Sequence, residues 1–359
     1  MSTSEIIVLV YSILMILPTL ASLTRLDQWW IRGFDFPRLQ ICALIILGII
    51  ASVVFYTTYS ALEIIVFISL CLSLVYQFNK IYPYTFLARK QVIRCREDNP
   101  ADTISLLVSN VLTPNKRSDK LLKLVKEKEP DILLTLETDK RWEKELSVLE
   151  ETYQYTVKIP QDNLYGMHLY SKLRLENTEV KYLVQEDIPS IHSNVIMKNG
   201  KKLKIHCLHP MPPSPTESDT STNRDAELLM VGRHIKENNK GILVLGDLND
   251  VAWSRTTRLF QKMSGLLDPR IGRGFFNTFH AEHPLLRWPL DHVFHSKDFS
   301  LIEITREWSI GSDHFPIYIK LCYKPELENK QEKPEKNTQE EEEWADEKIK
   351  DAKPLEASF

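Results

Sequence analysis

Ile242-Leu-Val-Leu-Gly-Asp-Leu-Asn249 is an apolar run that stops on a carboxylate and then, two residues on, an amide. Its length and composition are those of a buried strand. The i, i+2 spacing of Asp247 and Asn249 points both side chains to one face of extended backbone. One such ending is ordinary turn chemistry, because Asp and Asn just past a strand bond their own backbone. The pattern recurs, however. Leu106-Leu-Val-Ser-Asn110 ends in an amide, Ile132-Leu-Leu-Thr-Leu-Glu137 in a carboxylate, and Lys204-Ile-His-Cys-Leu-His209 in an imidazole. Leu290-Asp-His-Val-Phe294 sets Asp291 in an apolar run, and Gly311-Ser-Asp-His-Phe-Pro316 places Asp313 and His314 before a last strand. Carboxylates in apolar surroundings need partners. A carboxylate bonded to an imidazole holds the ring's tautomer and stabilises its protonated form, so Asp291 and His314 read as a dyad.

Around these endings, residues 104–323 alternate short β-branched or apolar runs with amphipathic helices, the pattern of an α/β domain. The expected strands include Ile104–Val111, Asp131–Glu137, Leu203–His209, Ile242–Asp247 and Pro316–Tyr323. Val195 to Ile205 reads as a hairpin with a type I′ turn at Asn199-Gly200, so the strands are not all parallel. Helices are expected at Asp119–Lys128, Arg141–Tyr153 and Arg224–Glu237.

The first quarter of the chain is different. Ile6–Leu23, Leu39–Tyr59 and Ala61–Phe78 approach the ~20 apolar residues that cross a bilayer. They predict three transmembrane helices within an anchor over residues 1–80, followed by a juxtamembrane linker over 81–103. No Lys or Arg precedes the first run, which argues against a cleaved signal peptide. Arg25, Arg32 and Arg38 lie between the first two spans, and Lys80, Arg89, Lys90, Arg94 and Arg96 follow the third. That positive-inside bias puts the downstream domain in the cytoplasm. Residues 324–359, with Glu340-Glu-Glu-Glu343, have little to bury and read as a charged disordered tail. The net charge of −3 gives no global basic field for nucleic acid, and the five scattered cysteines form no C-x-x-C pair.

Taken in order, Ser109-Asn110-Val111, Leu136-Glu137, His209-Pro210, Gly246-Asp247-Leu248-Asn249, Leu290-Asp291 and Ser312-Asp313-His314 resemble the signatures of the endonuclease/exonuclease/phosphatase superfamily, the DNase I-like enzymes. With three preceding spans, and with Trp29-Trp30-Ile-Arg32 and the run from Gly246 to Trp253, the chain looks like a bacterial membrane-bound branch of it. The resemblance implies a four-layer α/β sandwich, two mixed β-sheets flanked by helices, with the site at one edge between the sheets. It implies a metal-dependent hydrolase of phosphate esters in the cytoplasmic membrane, using Mg²⁺ or alternatively Mn²⁺. Glu137 would be the principal metal ligand, with Asn110 and Asp313 at the same pole. Asp247 would orient or deprotonate the attacking water and Asn249 would hold a non-bridging oxygen. His209 and His314 would donate to the phosphoryl group, with Asp291 fixing His314.

That set suits in-line displacement at a phosphodiester, where charge accumulates on oxygens and a metal and imidazolium donors offset it. The substrate stays open between nucleic acid and a phospholipid-type diester, because specificity lies in loops. A phosphomonoesterase acting on a small or lipid-linked phosphate, and a non-catalytic binding module on the same fold, are the alternatives. Arg273, Asn277 and Arg287 fall where related enzymes build a substrate groove. His168, His206, His280, His283, His292 and His295 sit outside the signatures and read as packing or surface residues; His292 faces away from Asp291 if its strand is regular.

Overall fold

The computed structural model describes residues 1–96, 99–237 and 240–355. The chain divides into two compact units, Met1–Ala88 with Pro213–Ser221, and Arg89–Pro212 with Thr222–Phe359.

The first unit is built on α1 (Thr3–Leu23), α2 (Trp29–Arg32), α3 (Arg38–Phe55) and α4 (Ala61–Ile81). Three of its helices are long and apolar enough to cross a membrane, as the hydropathy predicted. Ser2 with Glu5 and Ser60 with Glu63 form capping boxes that satisfy the first amides of α1 and α4. Ile41, Ile45 and Leu70 pack inside against Met15, Ile16 and Leu74. Most other apolar side chains of the three helices point outward, Ile7, Leu47, Val54 and Leu72 among them. At one end a polar cluster is buried: Arg38 bonds Asp35 and Gln77, and Gln77 bonds Thr19. Pro213–Ser221 falls within the sequence boundaries of the downstream domain, yet it belongs to this unit. Trp29 N–H donates to Asp219 O (2.9 Å) and Ser221 N–H to Asp27 O (2.9 Å).

Among the described residues the second unit has eleven strands in two mixed sheets. These are β1 (Thr103–Asn110), β2 (Ile132–Leu136), β3 (Tyr155–Ile159), β4 (Met167–Ser171), β5 (Leu175–Lys181), β6 (Ser190–Ile196), β7 (Lys202–Cys207), β8 (Ile242–Asp247), β9 (Asp291–His295), β10 (Phe299–Arg306) and β11 (Ile317–Tyr323). The sheet orders are β10-β11-β1-β2-β4-β3 and β5-β6-β7-β8-β9. Only β1·β2 and β7·β8 run parallel; the other pairings are antiparallel.

Alternate residues explain the layering. Leu106, Val108, Leu134, Ile319 and Leu321 of one sheet meet Ile205, Cys207, Leu243, Leu245 and Val293 of the other in a single core. The outer face of the first sheet carries α5 (Ser118–Lys128) and α6 (Lys140–Glu145), through Leu121, Leu124 and Trp142. The outer face of the second carries α7 (Thr222–Glu237) and α8 (Arg255–Ser264), through Leu228, Val231 and Phe260. The four-layer sandwich is therefore as expected.

Four local expectations need correction. The helix read at Arg141–Tyr153 is α6 followed by a 3-10 turn over Ser147–Glu151. At the hairpin only Gly200 has positive φ (+80°), so the turn is not type I′; Asn199 instead accepts Lys201 N–H on Oδ1 (2.8 Å), an Asx arrangement that stabilises a longer loop. Part of the segment read as a linker is packed: Val92 is in the central core, and Leu301 exchanges backbone bonds with Ile93 and Cys95. The tail read as disordered carries α9 (Gln339–Ala352), whose Trp344 and Ala345 are buried against Leu229, Leu259 and Met263. Arg233–Asp346 (2.6 Å) and Lys262–Glu341 (2.9 Å) flank that contact, so the charges of the tail face partners on α7 and α8.

Candidate active site

Strand register brings the candidates together. In the parallel pair β1·β2, Asn110 stands beside Leu136, which places Glu137 one residue past the same edge. In β8·β9, Asp247 lies directly opposite Asp291. His209 follows β7, next to β8, and Leu208 N–H donates to Leu245 O (3.0 Å). Close approach of these two strands depends on Gly246: its φ is +146°, and a Cβ there would sit 1.9 Å from Leu208 O. Glycine in G-D-x-N is thus a steric requirement of the site. Glu137 (φ +59°) and Asn249 (φ +51°) also occupy the left-handed region, a strained backbone held where function concentrates.

His314 is the hub. Its Nδ1 lies 2.8 Å from Asp291 Oδ2, and its Nε2 lies 3.4 Å from Asp247 Oδ2. Burial alone would drain its charge, but the two carboxylates outweigh burial and lift it to about 10, so the ring is an imidazolium at neutral pH. Asp291 is itself wholly buried, and Thr278 Oγ1 accepts the Asp291 N–H (3.2 Å). Asp291 Oδ1 has no hydrogen-bond partner among the described residues.

Asn110 links the two carboxylates opposite, its Nδ2 donating to Glu137 Oε1 (2.7 Å) and Asp247 Oδ2 (3.2 Å). Its Oδ1 accepts Leu112 N–H (3.1 Å), which uses one of that oxygen's two lone pairs. Burial raises Glu137 to about 7, against the Asn110 bond and the His314 charge, and with Asp313 and Asp247 adding to the rise. Glu137 Oε2 is buried with no partner among the described residues. A buried carboxylate oxygen lacking a donor, beside the partly exposed Asp313, is what a hard divalent cation would satisfy, so the residues present fit one. Asp247, Asp291 and His314 also offer atoms within 4.8 Å of one another. The imidazolium of His314 makes that trio a poor cation site.

His209 is 2% exposed, packs on Tyr165 (ring centroids 5.4 Å apart) and holds its Nε2 3.9 Å from Asp247 Oδ2. Burial lowers it to about 4 in spite of Asp247, so of the two imidazoles expected to be charged donors only His314 is charged. Asn249 donates through Nδ2 to Pro210 O (3.0 Å), tying the end of β8 to that of β7.

Sequence reasoning missed the clasp behind the site. Arg270, 1% exposed, bonds Asp268, donates to Asp291 O (3.2 Å) and meets His292 Nδ1 (2.7 Å). His292 Nε2 in turn reaches Asp250 O (2.8 Å), on the opposite face of β9 from Asp291. The only sequence signal was an Asp-Pro-Arg at 268–270 with no motif around it. Arg273 bonds Pro269 O and Val92 O, and Arg287 bonds His280 O and Ala281 O; both fasten loops. His192 and His206 pair through Nδ1 atoms 2.7 Å apart, on β6 and β7.

Two facing mixed sheets whose strand ends converge on a buried carboxylate–imidazole–carboxylate site define a hydrolase of phosphate esters. The chain belongs to the endonuclease/exonuclease/phosphatase family, whose model matches residues 107–314. Similar solved structures include the catalytic domain of human nocturnin with bound sulfate (16% identity, TM-score 0.52, 67% of this chain and 99% of that one). D. rerio TDP2 complexed with single-strand DNA product is similar at 17% identity and TM-score 0.50 (61% and 98%). An endonuclease/exonuclease/phosphatase from Bacteroides vulgatus is similar at 16% and 0.50 (62% and 99%). At these identities the likeness is one of fold. No curated protein matches the chain in sequence.

Proposed function

We propose that this protein is a membrane-anchored, Mg²⁺-dependent phosphodiesterase, with Mn²⁺ able to substitute, that hydrolyses a nucleic-acid or phospholipid-type diester by in-line attack of water at phosphorus. The observation that carries the reading is His314, buried and charged between Asp291 and Asp247 and facing the Asn110–Glu137 pair. Asp247 Oδ2 takes the proton from water as the new P–O bond forms. His314 Nε2–H donates to a non-bridging oxygen as charge builds there, and Asp291 holds the ring's orientation and its charge. His209, neutral, offers Nε2–H to the same phosphoryl group, while Asn249 keeps Asp247 and His209 in register. The old P–O bond breaks with its electron pair on the leaving oxygen, which regains a proton from solvent. A divalent cation held by Glu137 and Asp313 would offset negative charge on the phosphate oxygens. The positive-inside bias supports a catalytic domain on the cytoplasmic face of a bacterial inner membrane.

The test uses the full-length protein in detergent with Mg²⁺ and bis-p-nitrophenyl phosphate, followed by plasmid DNA and phospholipid vesicles. Asp247→Ala and His314→Ala should each lower turnover by ~10²-fold or more with unchanged circular dichroism, as for loss of other preorganised groups. Wild-type turnover in either folded variant, or no hydrolysis of any of these by the parent, would overturn the proposal.

A further inference from the structure

We propose that His280, Glu282 and His283 form a second metal site, for a borderline transition ion such as Zn²⁺, separate from the oxygen-donor pole at Glu137. One ligand atom from each lies within 4.8 Å of the others, and the two imidazole centroids are 4.5 Å apart. Glu282 N–H donates to His280 Nδ1 at 3.2 Å, the one bond that an ion on that nitrogen would displace.

The loop is already braced. His280 N–H donates to Leu286 O (3.0 Å), Leu286 N–H to His283 O (2.9 Å), and the Arg287 guanidinium caps the carbonyls of His280 and Ala281. Ligand donors around a tetrahedral zinc stand roughly 3.3 Å apart, so closing the cluster takes only about 1.5 Å of side-chain movement on a fixed backbone. Two imidazoles and one carboxylate suit zinc and its neighbours; Mg²⁺ and Ca²⁺ favour all-oxygen shells. Glu282 and His283 are exposed, which leaves the fourth position to water. Between the ligands, Ala281 N–H donates to Asp313 O at 2.6 Å, so an ion here would stiffen the backbone that carries Asp313 and His314.

The experiment takes full-length protein, purified in detergent without a histidine tag and stripped of metal, through equilibrium dialysis against Zn²⁺ with millimolar Mg²⁺ present. Bound zinc is read by elemental analysis. One tightly held equivalent is expected, retained in Glu137→Gln and weakened at least ~10-fold in His283→Ala and in Glu282→Gln. Co²⁺ in place of Zn²⁺ should give a four-coordinate visible spectrum that His283→Ala abolishes. The altered side chains are exposed, so melting of the metal-free variants should match the parent and basal Mg²⁺-supported hydrolysis should be unchanged. Zinc binding that is indifferent to His283→Ala, or that disappears in Glu137→Gln, would refute the site.

Discussion

Glu227 offers a quantitative check on the second unit, away from any metal. It lies in α7, is 3% exposed, and its Oε1 has no hydrogen-bond partner among the described residues. Burial alone lifts its acid from 4.5 to about 8. The folded protein therefore holds this proton more tightly than the unfolded chain does. Stability linked to the group is fully present below pH 4.5 and is lost as the pH rises through 8. At about 1.4 kcal/mol per pH unit the full loss is about 5 kcal/mol, of which about 3 kcal/mol has gone by pH 7. Glu227→Gln removes the titration but keeps the shape. Its amide still lacks a partner, which costs about 1–3 kcal/mol at every pH. The signature is consequently the slope and not the offset: relative to the parent, the variant should gain about 1.4 kcal/mol per pH unit between pH 5 and 8. Thermal melts of the detergent-solubilised protein at four pH values would show it, since 1 kcal/mol moves the midpoint of a domain this size by about 2–4 °C. Melting curves for parent and variant that run parallel across this range would refute the reasoning.

Three further outcomes are expected. Asp291→Asn should keep the fold but lower turnover ~10²–10⁴-fold, because His314 loses the anion that holds its orientation and charge; a loss under tenfold in a steady-state assay would contradict that role. Gly246→Ala forces a Cβ onto Leu208 O at a backbone angle L-residues avoid, so it should cost more than about 2 kcal/mol and most of the activity, and a normally melting, active variant would show the strands are not so constrained. Trp344→Ala should weaken the docking of α9 by about 3–5 kcal/mol and open the tail to protease, whereas an unchanged digestion pattern would mean that Trp344 contributes little to holding it.

What was readable in the sequence was whatever local chemistry dictates. Each strand ending at Asn110, Glu137, His209 and Asp247 announced itself because an apolar run broke on a polar group, and the structure gathers those groups at one edge. The helices of the first unit announced themselves by length. What was not readable depended on partners distant in sequence. Val92 looked like linker until the first sheet buried it, and Glu340 to Glu343 looked solvated because nothing local told of Lys236 and Lys262 waiting on α7 and α8. Arg270 was silent for the same reason: its meaning lies in Asp291 O and His292, both more than twenty residues away. The charge state of His209 was unreadable too, since burial that sets it is a property of the assembled sandwich.

The strap Pro213–Ser221 bears on how such a protein can change. It starts four residues after His209, yet its backbone partners are Asp27 and Trp29. The helical unit is thus encoded in two pieces, with residues 89–212 of the hydrolase between them. A single recombination crossover after Ala88 would pair one lineage's helices with another's strap. Moving either unit whole takes further crossovers on both sides of the strap, so the helical unit and the hydrolase should be inherited as one block and diverge in step.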